Sequence, residues 1–225
     1  PYCDLAALSK VILSDNVLTL RFLALANSAA VAQGHEVKDL RAALVRLGIQ
    51  RVRNVTLLMG MHDMAPAANP DVGLNLAEYW KHSLAVASCA QGLAWQRGTA
   101  SHEDAWLVGI LHGLGVTAMT QRTGADFHRV VDFAREQGVT LAEAEMHVLD
   151  FHHGELGARI LKNWNLPRLF SDVVEFYAED FEATEVSTAA AELIRTLRDA
   201  IAIARTIGYG ANGDHNAITP MSRLA

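Results

Sequence analysis

Residues 108–116 read VGILHGLGV, an apolar stretch in which His112 is followed by two glycines, Gly113 and Gly115. The apolar residues on both sides keep helical spacing, and Ser101 is placed to cap a helix over residues 102–122. A glycine inside a helix costs about 0.5–1 kcal/mol relative to alanine. The two glycines therefore predict a helix that breaks beside His112, or one that another backbone approaches closely.

The rest of the composition is that of an ordinary globular protein. Hydrophobic residues make up 51% of the 225 residues and charged residues 20%. The longest apolar stretches, such as LAVASCA at 84–90, are far shorter than the ~20 residues that span a bilayer, and no secretory leader opens the chain. Cys3 and Cys89 form no paired motif and suit a reducing compartment. We therefore expect a cytoplasmic protein without membrane contact. No cofactor is expected either, since the sequence contains no phosphate-binding loop.

The chain is predicted to be all-α. Apolar residues recur with helical spacing nearly throughout, and no segment alternates like a strand. Asp15 or Asn16 is a candidate cap, Gly48 a candidate helix end, and Thr140 with Glu143 forms a capping box. Helices are predicted over residues 4–13, 17–30, 38–48, 50–64, 76–98, 102–122, 125–138, 140–150, 154–164 and 183–208.

One segment divides this helical chain. Residues 65–75, APAANPDVGLN, contain two prolines, a glycine and two asparagines, which is typical of a linker. We predict a small N-terminal helical lobe over residues 1–70 and a larger helical lobe over residues 71–225. Because the chain begins at Pro1 rather than at a methionine, it is expected to be a fragment of a longer polypeptide.

Several polar residues of the second lobe are candidates for a site. His82, His112 and Asp199 each fall in the middle of a predicted helix, and imidazole with carboxylate suits divalent cations. Ligands on three helices of a bundle can converge on one point. Their spacing matches no short metal motif, so a buried hydrogen-bonded cluster is the alternative interpretation.

The chain resembles the HDOD family, the bacterial signalling relatives of the HD-domain metal-dependent phosphohydrolases. The resemblance covers about residues 4–210 and implies that both lobes form one HDOD domain. The segments that carry it are LRFLALANSAA (20–30), AALVRLGIQRVRNVTLL (42–58), YWKHSLAVA (79–87), VGILHGLGV (108–116), HGELGARILKNWNLP (153–167) and LRDAIAIA (197–204).

This resemblance implies where a metal would lie. His82, His112 and Asp199 match metal ligands of the hydrolases, whereas Gly113 stands where the metal-bridging aspartate belongs. Val116 stands in place of a lysine, and Tyr177 and Ala178 stand in place of histidines. His152 and His153 lie where the family also carries a histidine, so with Gly113 they are candidates to line a remnant pocket. Two imidazoles and one carboxylate can hold at most one ion, whereas two-metal hydrolysis needs bridging carboxylates.

Arginines of the first lobe form a second candidate site. Arg51 and Arg53 begin a helix that follows a short glycine-containing turn, which is compatible with a DNA-binding helix-turn-helix. The formal net charge of −6 counts against that use. We therefore assign Arg51 and Arg53 to a surface for a protein partner or, on the plainer interpretation, to a solvated face.

The sequence thus predicts a catalytically inert regulatory module of bacterial signal transduction, with no catalytic residue and no bound metal. Its expected partner is a protein of a signalling pathway. A small nucleotide ligand remains possible in the remnant pocket, and nucleic acid is disfavoured. The alternative is a metal-dependent phosphohydrolase with a reduced ligand set, which requires another carboxylate to replace the one absent at Gly113.

Overall fold

The computed structural model of the chain describes residues 5–28, 35–64, 74–98, 101–123, 125–179 and 186–210. Over these residues the chain is helical and contains no β-strand, so the predicted all-α class is confirmed. The helices are α1 (Leu5–Leu13), α2 (Asn16–Ala26), α3 (Leu40–Leu47), α4 (Ile49–Met64), α5 (Leu76–Arg97), α6 (His102–Leu111), α7 (Leu114–Thr123), α8 (Ala125–Gln137), α9 (Leu141–Leu149), α10 (His153–Asn163), α11 (Arg168–Phe176) and α12 (Thr188–Thr206).

The chain divides into two compact units, Pro1–Gly60 and Met61–Ala225. This division falls before the predicted boundary at residue 70. Since residues 65–73 of the predicted linker lie outside the described residues, a boundary within that segment stays a prediction.

Local signals set many helix ends. The carboxylate of Asp15 accepts the first free amides of α2, and the Ser101 hydroxyl accepts one at the start of α6. Thr140 and Glu143 form the predicted capping box at α9. Gly48 ends α3 with a φ of 78°, a conformation that residues with a Cβ rarely adopt. These ends follow from neighbouring residues, which is why the sequence predicts them.

The N-terminal unit has its own apolar core. Phe22 and Leu44 are fully buried at its centre, together with Ile12 and Val52. The Asn27 side chain, at the end of α2, is bonded to the backbone of Val37, which precedes α3. Its Oδ1 accepts the Val37 N–H and its Nδ2 donates to the Val37 carbonyl, both at 2.8 Å.

In the C-terminal unit, the long helix α5 packs against α6 and α12, while α10 packs against α7 and α11. A separate apolar cluster, which includes Met119, Phe127 and Val130, joins α7, α8 and α9. None of the described helices is long and apolar enough to cross a membrane.

The break between α6 and α7, beside His112, determines how α7 packs against α10 in the C-terminal unit. Helix α6 ends at Leu111 and α7 begins at Leu114, as the two glycines predict. A methyl group at Gly115 would lie 1.8 Å from the carbonyl oxygen of His153. Only a residue without a side chain allows this approach, which brings the start of α7 against the start of α10 and places His153 near His112.

Candidate functional site

Four buried histidines, His82, His112, His152 and His153, lie in the C-terminal unit and are called the histidine cluster here. They are 0%, 2%, 1% and 5% exposed respectively. His82 comes from α5, His112 follows α6, and the adjacent pair His152 and His153 begins α10. A buried imidazole requires hydrogen-bond partners, so those partners define what the cluster can do.

His82 and His112 are held by backbone carbonyls. Nδ1 of His82 donates to the carbonyl of Tyr209 at 2.5 Å, and Nδ1 of His112 donates to the carbonyl of Gly109 at 2.7 Å. Because a carbonyl only accepts, Nδ1 of each ring carries a proton. The two rings meet edge to face with centroids 5.5 Å apart.

The environment of His112 disfavours its charged form. Burial, followed by the neighbouring His82, lowers the pKa of His112 to about 3, and His153 and Arg205 act in the same direction. The hydrogen bond to Gly109 opposes these effects only in part. His112 is therefore neutral at physiological pH.

A carboxylate, an imidazole and a phenol form a hydrogen-bonded chain beside this pair. Oε2 of Glu145, which is fully buried on α9, accepts both the backbone N–H of His153 at 2.7 Å and its Nδ1–H at 2.6 Å. Nε2 of His153 then accepts the hydroxyl of Tyr177 at 2.6 Å. The Tyr177 ring also meets His112 edge to face, with centroids 5.5 Å apart. This Glu145–His153–Tyr177 chain links α9, α10 and the end of α11.

His152 is fixed by two different contacts. Its Nδ1 accepts the backbone N–H of Gly154 at 3.1 Å, so the imidazole caps the first turn of α10. Its Nε2 donates to Oε1 of Glu179 at 2.7 Å, with Oε1 of Glu155 at 3.7 Å. The side chain of His152 is 2% exposed while that of Glu179 is 44% exposed, so Glu179 stands between the imidazole and solvent.

The space beside Gly113 is filled by another side chain. A methyl group at Gly113 would lie 2.7 Å from Cε1 of Tyr79 and 3.0 Å from Oγ of Ser83. Tyr79 is itself only 4% exposed on α5. An aspartate at residue 113 would therefore require the Tyr79 ring to move.

The structure brings His82 and His112 together but does not bring Asp199 to them. Oδ2 of Asp199 pairs with Arg97 at 2.5 Å. Arg97 lies about 22 Å beyond His82 along α5, at about 1.5 Å per residue. Helix α12 instead approaches the pair near Arg205, whose positive charge helps to lower the pKa of His112.

The side chains of His82, His112 and Asp199 do not form a metal centre of the hydrolase type. The described residues contain no group of three His, Cys, Asp or Glu side chains placed to hold a metal ion. A two-metal centre needs ions roughly 3.5–4 Å apart that share carboxylates. Here the carboxylate of Glu145 is bound to His153, and the guanidinium of Arg205 would repel a cation.

Arg51 and Arg53 lie in the first turns of α4, in the N-terminal unit. Arg51 is exposed, and Nε of Arg53 donates to Oδ1 of Asn54 at 3.1 Å. Val45, 64% exposed, and Ile49, 42% exposed, lie on α3 and α4 on either side of the Gly48 turn. Exposed aliphatic side chains therefore lie close in the chain to the two arginines.

Sequence reasoning missed Glu145, Tyr79 and the contacts of Tyr177. A signal for Glu145 was present, because Leu141, Glu145 and Val148 share one helical face, and a carboxylate on an apolar face predicts a buried partner. Tyr79 and Tyr177 gave no comparable signal, since their contacts are made with residues distant in the chain.

An open groove of about 670 Å³ lies elsewhere, between α10 and α11. Leu166 and Phe176 form its apolar part, and its charged residues are already paired as Lys162–Glu175 and Arg168–Asp172. None of the histidines lines this groove.

Comparison with known proteins identifies the fold. The HDOD domain family model matches residues 1–179. The chain belongs to the HDOD domain family. Among curated proteins, an uncharacterized protein of Treponema pallidum is 23% identical over 178 residues, which cover 79% of this chain and 34% of that protein. The HDOD chain thus spans about a third of the length of that relative.

Solved structures support the same fold. An HDOD domain protein from Geobacter sulfurreducens is 24% identical and has a TM-score of 0.77, with 100% of this chain and 73% of that chain covered. A protein from Marinobacter aquaeolei that is named for signal transduction is 20% identical, with a TM-score of 0.74 and coverages of 100% and 50%. A protein from Shewanella amazonensis that is named as a phosphohydrolase is 25% identical, with a TM-score of 0.69 and coverages of 98% and 82%.

Proposed function

We propose that this HDOD chain is a catalytically inert module of bacterial cytoplasmic signal transduction that acts by binding a protein partner. The observation that carries the proposal is the Tyr79 ring beside Gly113, because it fills the space that a metal-bridging carboxylate would need. The Glu145–His153–Tyr177 chain adds support, since its hydrogen bonds already occupy the buried carboxylate and imidazole that lie beside His112.

The relatives' names favour two different functions. The Marinobacter protein is named for signal transduction, which agrees with the proposal, whereas the Shewanella protein is named as a phosphohydrolase. The second candidate function is therefore metal-dependent phosphoester hydrolysis. It would require a carboxylate near His112, whereas the α12 side chain whose charge acts on the pKa of His112 is Arg205.

The purified chain is expected to show no phosphodiesterase activity. Assays with bis(p-nitrophenyl) phosphate and added Mn²⁺ or Fe²⁺ should give the same rate for the wild type and for His112→Ala. Elemental analysis without chelators should find well under one equivalent of transition metal per chain, on the basis of the donor count. Turnover that His112→Ala abolishes would refute inertness and favour the hydrolase.

We assign partner binding to the surface around Arg51 and Arg53. Residues 1–60 carry seven Lys and Arg against four Asp and Glu, while residues 61–225 carry twelve against twenty-one. A basic surface with exposed Val45 and Ile49 suits an acidic protein segment that also presents apolar side chains. Nucleic acid fits less well, because aliphatic side chains add nothing to phosphate contacts. A nucleotide in the histidine cluster is disfavoured by the adjacent Glu155 and Glu179.

Reversal of both charges, Arg51→Glu with Arg53→Glu, is expected to weaken partner binding at least about tenfold, since it replaces attraction by repulsion. The matched control is Lys10→Glu with Arg21→Glu, which changes the net charge equally at other exposed positions of the same unit. Quantitative cross-linking in cell extract would compare the two variants protein by protein. Equal loss in both variants would indicate a general charge effect and would reject this surface.

A further inference from the structure

Three residues after α11 cover the two histidines at the start of α10. Tyr177 bonds to Nε2 of His153 at 2.6 Å, and Glu179 bonds to Nε2 of His152 at 2.7 Å. Residues 177–179 are called the covering segment here. Tyr177 and Glu179 are partly exposed, whereas the histidines beneath them are 5% and 1% exposed. The segment therefore separates these imidazoles from solvent.

One side chain of α12 fixes the covering segment. Arg198 donates from Nε to the carbonyl of Tyr177 at 2.8 Å and from Nη2 to the carbonyl of Phe176 at 3.1 Å, and it also contacts the carbonyl of Glu179. The last carbonyls of a helix have no partner within the helix, and they carry partial negative charge. A guanidinium offers several donors in a rigid plane, so Arg198 satisfies carbonyls on both sides of Tyr177 at once.

We propose that the covering segment is a strap, a segment that can open and that is closed over His152 and His153 in this structure. The hydrogen bonds from Arg198 to the backbone of the strap hold it closed, and Arg198 is called its latch. While the latch is closed, the Nε2 atoms of both histidines are occupied by groups of the strap. Any ligand that uses these atoms must first displace Tyr177 and Glu179, so strap position and access to the two imidazoles are mutually exclusive.

The geometry favours a covering segment that can open over one that is a permanent part of the core. The side chain of Glu179 is 44% exposed, and its attachment to His152 is a single hydrogen bond. Ion pairs with exposed members add little stability, so the segment is held mainly by the Tyr177 hydrogen bond to His153 and by the hydrogen bonds of Arg198 to its backbone. The buried side of the cluster differs, because Glu145 and the backbone hold His153 whether or not the strap is closed. This inference goes beyond the proposed function, since a closed strap is compatible with either a binding module or an enzyme.

Histidine modification by diethyl pyrocarbonate, followed by peptide mass spectrometry, tests the latch. In the wild type, His152 and His153 should react far more slowly than His128, whose side chain is 46% exposed. In Arg198→Ala both should react at least about tenfold faster, the factor that corresponds to the loss of one charge-assisted hydrogen bond. His82 should stay unreactive and reports on global unfolding. Arg195→Ala, at an exposed position of the same helix, should leave all rates unchanged.

Two further variants keep the proposal falsifiable if Arg198→Ala unfolds the chain. Glu179→Ala should expose His152 alone, and Tyr177→Phe should release only the hydrogen bond to His153. Wild-type rates for His152 and His153 that match His128 would show that no strap is closed. Unchanged modification rates in a folded Arg198→Ala protein would refute the role of Arg198 as the latch. Unchanged rates in Glu179→Ala would refute the strap.

Discussion

Glu145→Ala is expected to lower the free energy of unfolding by about 2–6 kcal/mol at pH 7. The carboxylate of Glu145 accepts two buried donors, the backbone N–H and the Nδ1–H of His153. Each buried donor left without an acceptor costs about 1–3 kcal/mol. Since small domains are stable by only about 5–15 kcal/mol, this loss is large enough to leave part of the protein unfolded at 37 °C. Urea denaturation followed by circular dichroism measures it.

Two companion variants separate the hydrogen bonds from the change in size. Glu145→Gln keeps an acceptor oxygen of the same reach and should cost roughly a third as much as Glu145→Ala, since both donors of His153 remain bonded. Glu136→Ala, at an exposed position on α8, should change the stability by less than about 0.5 kcal/mol. A loss below about 1 kcal/mol for Glu145→Ala would mean that water reaches His153 and that the Glu145–His153–Tyr177 chain contributes little.

The ends of the helices and the break at His112 could be predicted from the sequence because their causes are local. A cap acts over three residues, as at Thr140 and Glu143, and a glycine changes the helix that contains it. The close contact of Gly115 with His153 illustrates the limit of such reasoning. The sequence leaves a close backbone approach open as the alternative to a helix break, but the identity of that backbone depends on how α7 and α10 pack.

The site was predicted only in part, because its members meet across helices. His82 and His112 lie together as expected, yet Asp199 lies beside Arg97 at the far end of α5. Helices α5 and α12 run in opposite directions, since Asp199 meets Arg97 while Tyr209 meets His82. The register of α12 on α5 thus decides which α12 side chains come near His82 and His112. Asp199 lies at the far end of α5, and the α12 charge that acts on the pKa of His112 is that of Arg205.

The stability of the wild type is expected to fall as the pH is lowered from about 6.5 towards 3, with His112 as a principal cause. The pKa of this group is about 3 in the folded chain, against an ordinary value of 6.5. Above pH 6.5 the imidazole is neutral in both states and adds no pH dependence. Between the two values the unfolded chain binds a proton that the folded chain refuses, so each pH unit costs about 1.4 kcal/mol.

His112→Phe isolates this contribution, because phenylalanine keeps an aromatic ring against Tyr177 and His82 but does not titrate. The lost hydrogen bond to Gly109 should cost about 1 kcal/mol at every pH, whereas the pH-dependent loss should shrink by about 1.4 kcal/mol per unit below pH 6. Urea denaturation of both proteins from pH 7.5 to pH 4.5 gives the two slopes, and their difference reports on His112 together with its coupling to His82 and His153. Parallel slopes for wild type and His112→Phe would mean that His112 is protonated readily in the folded chain, and that the centre of the cluster is open to water.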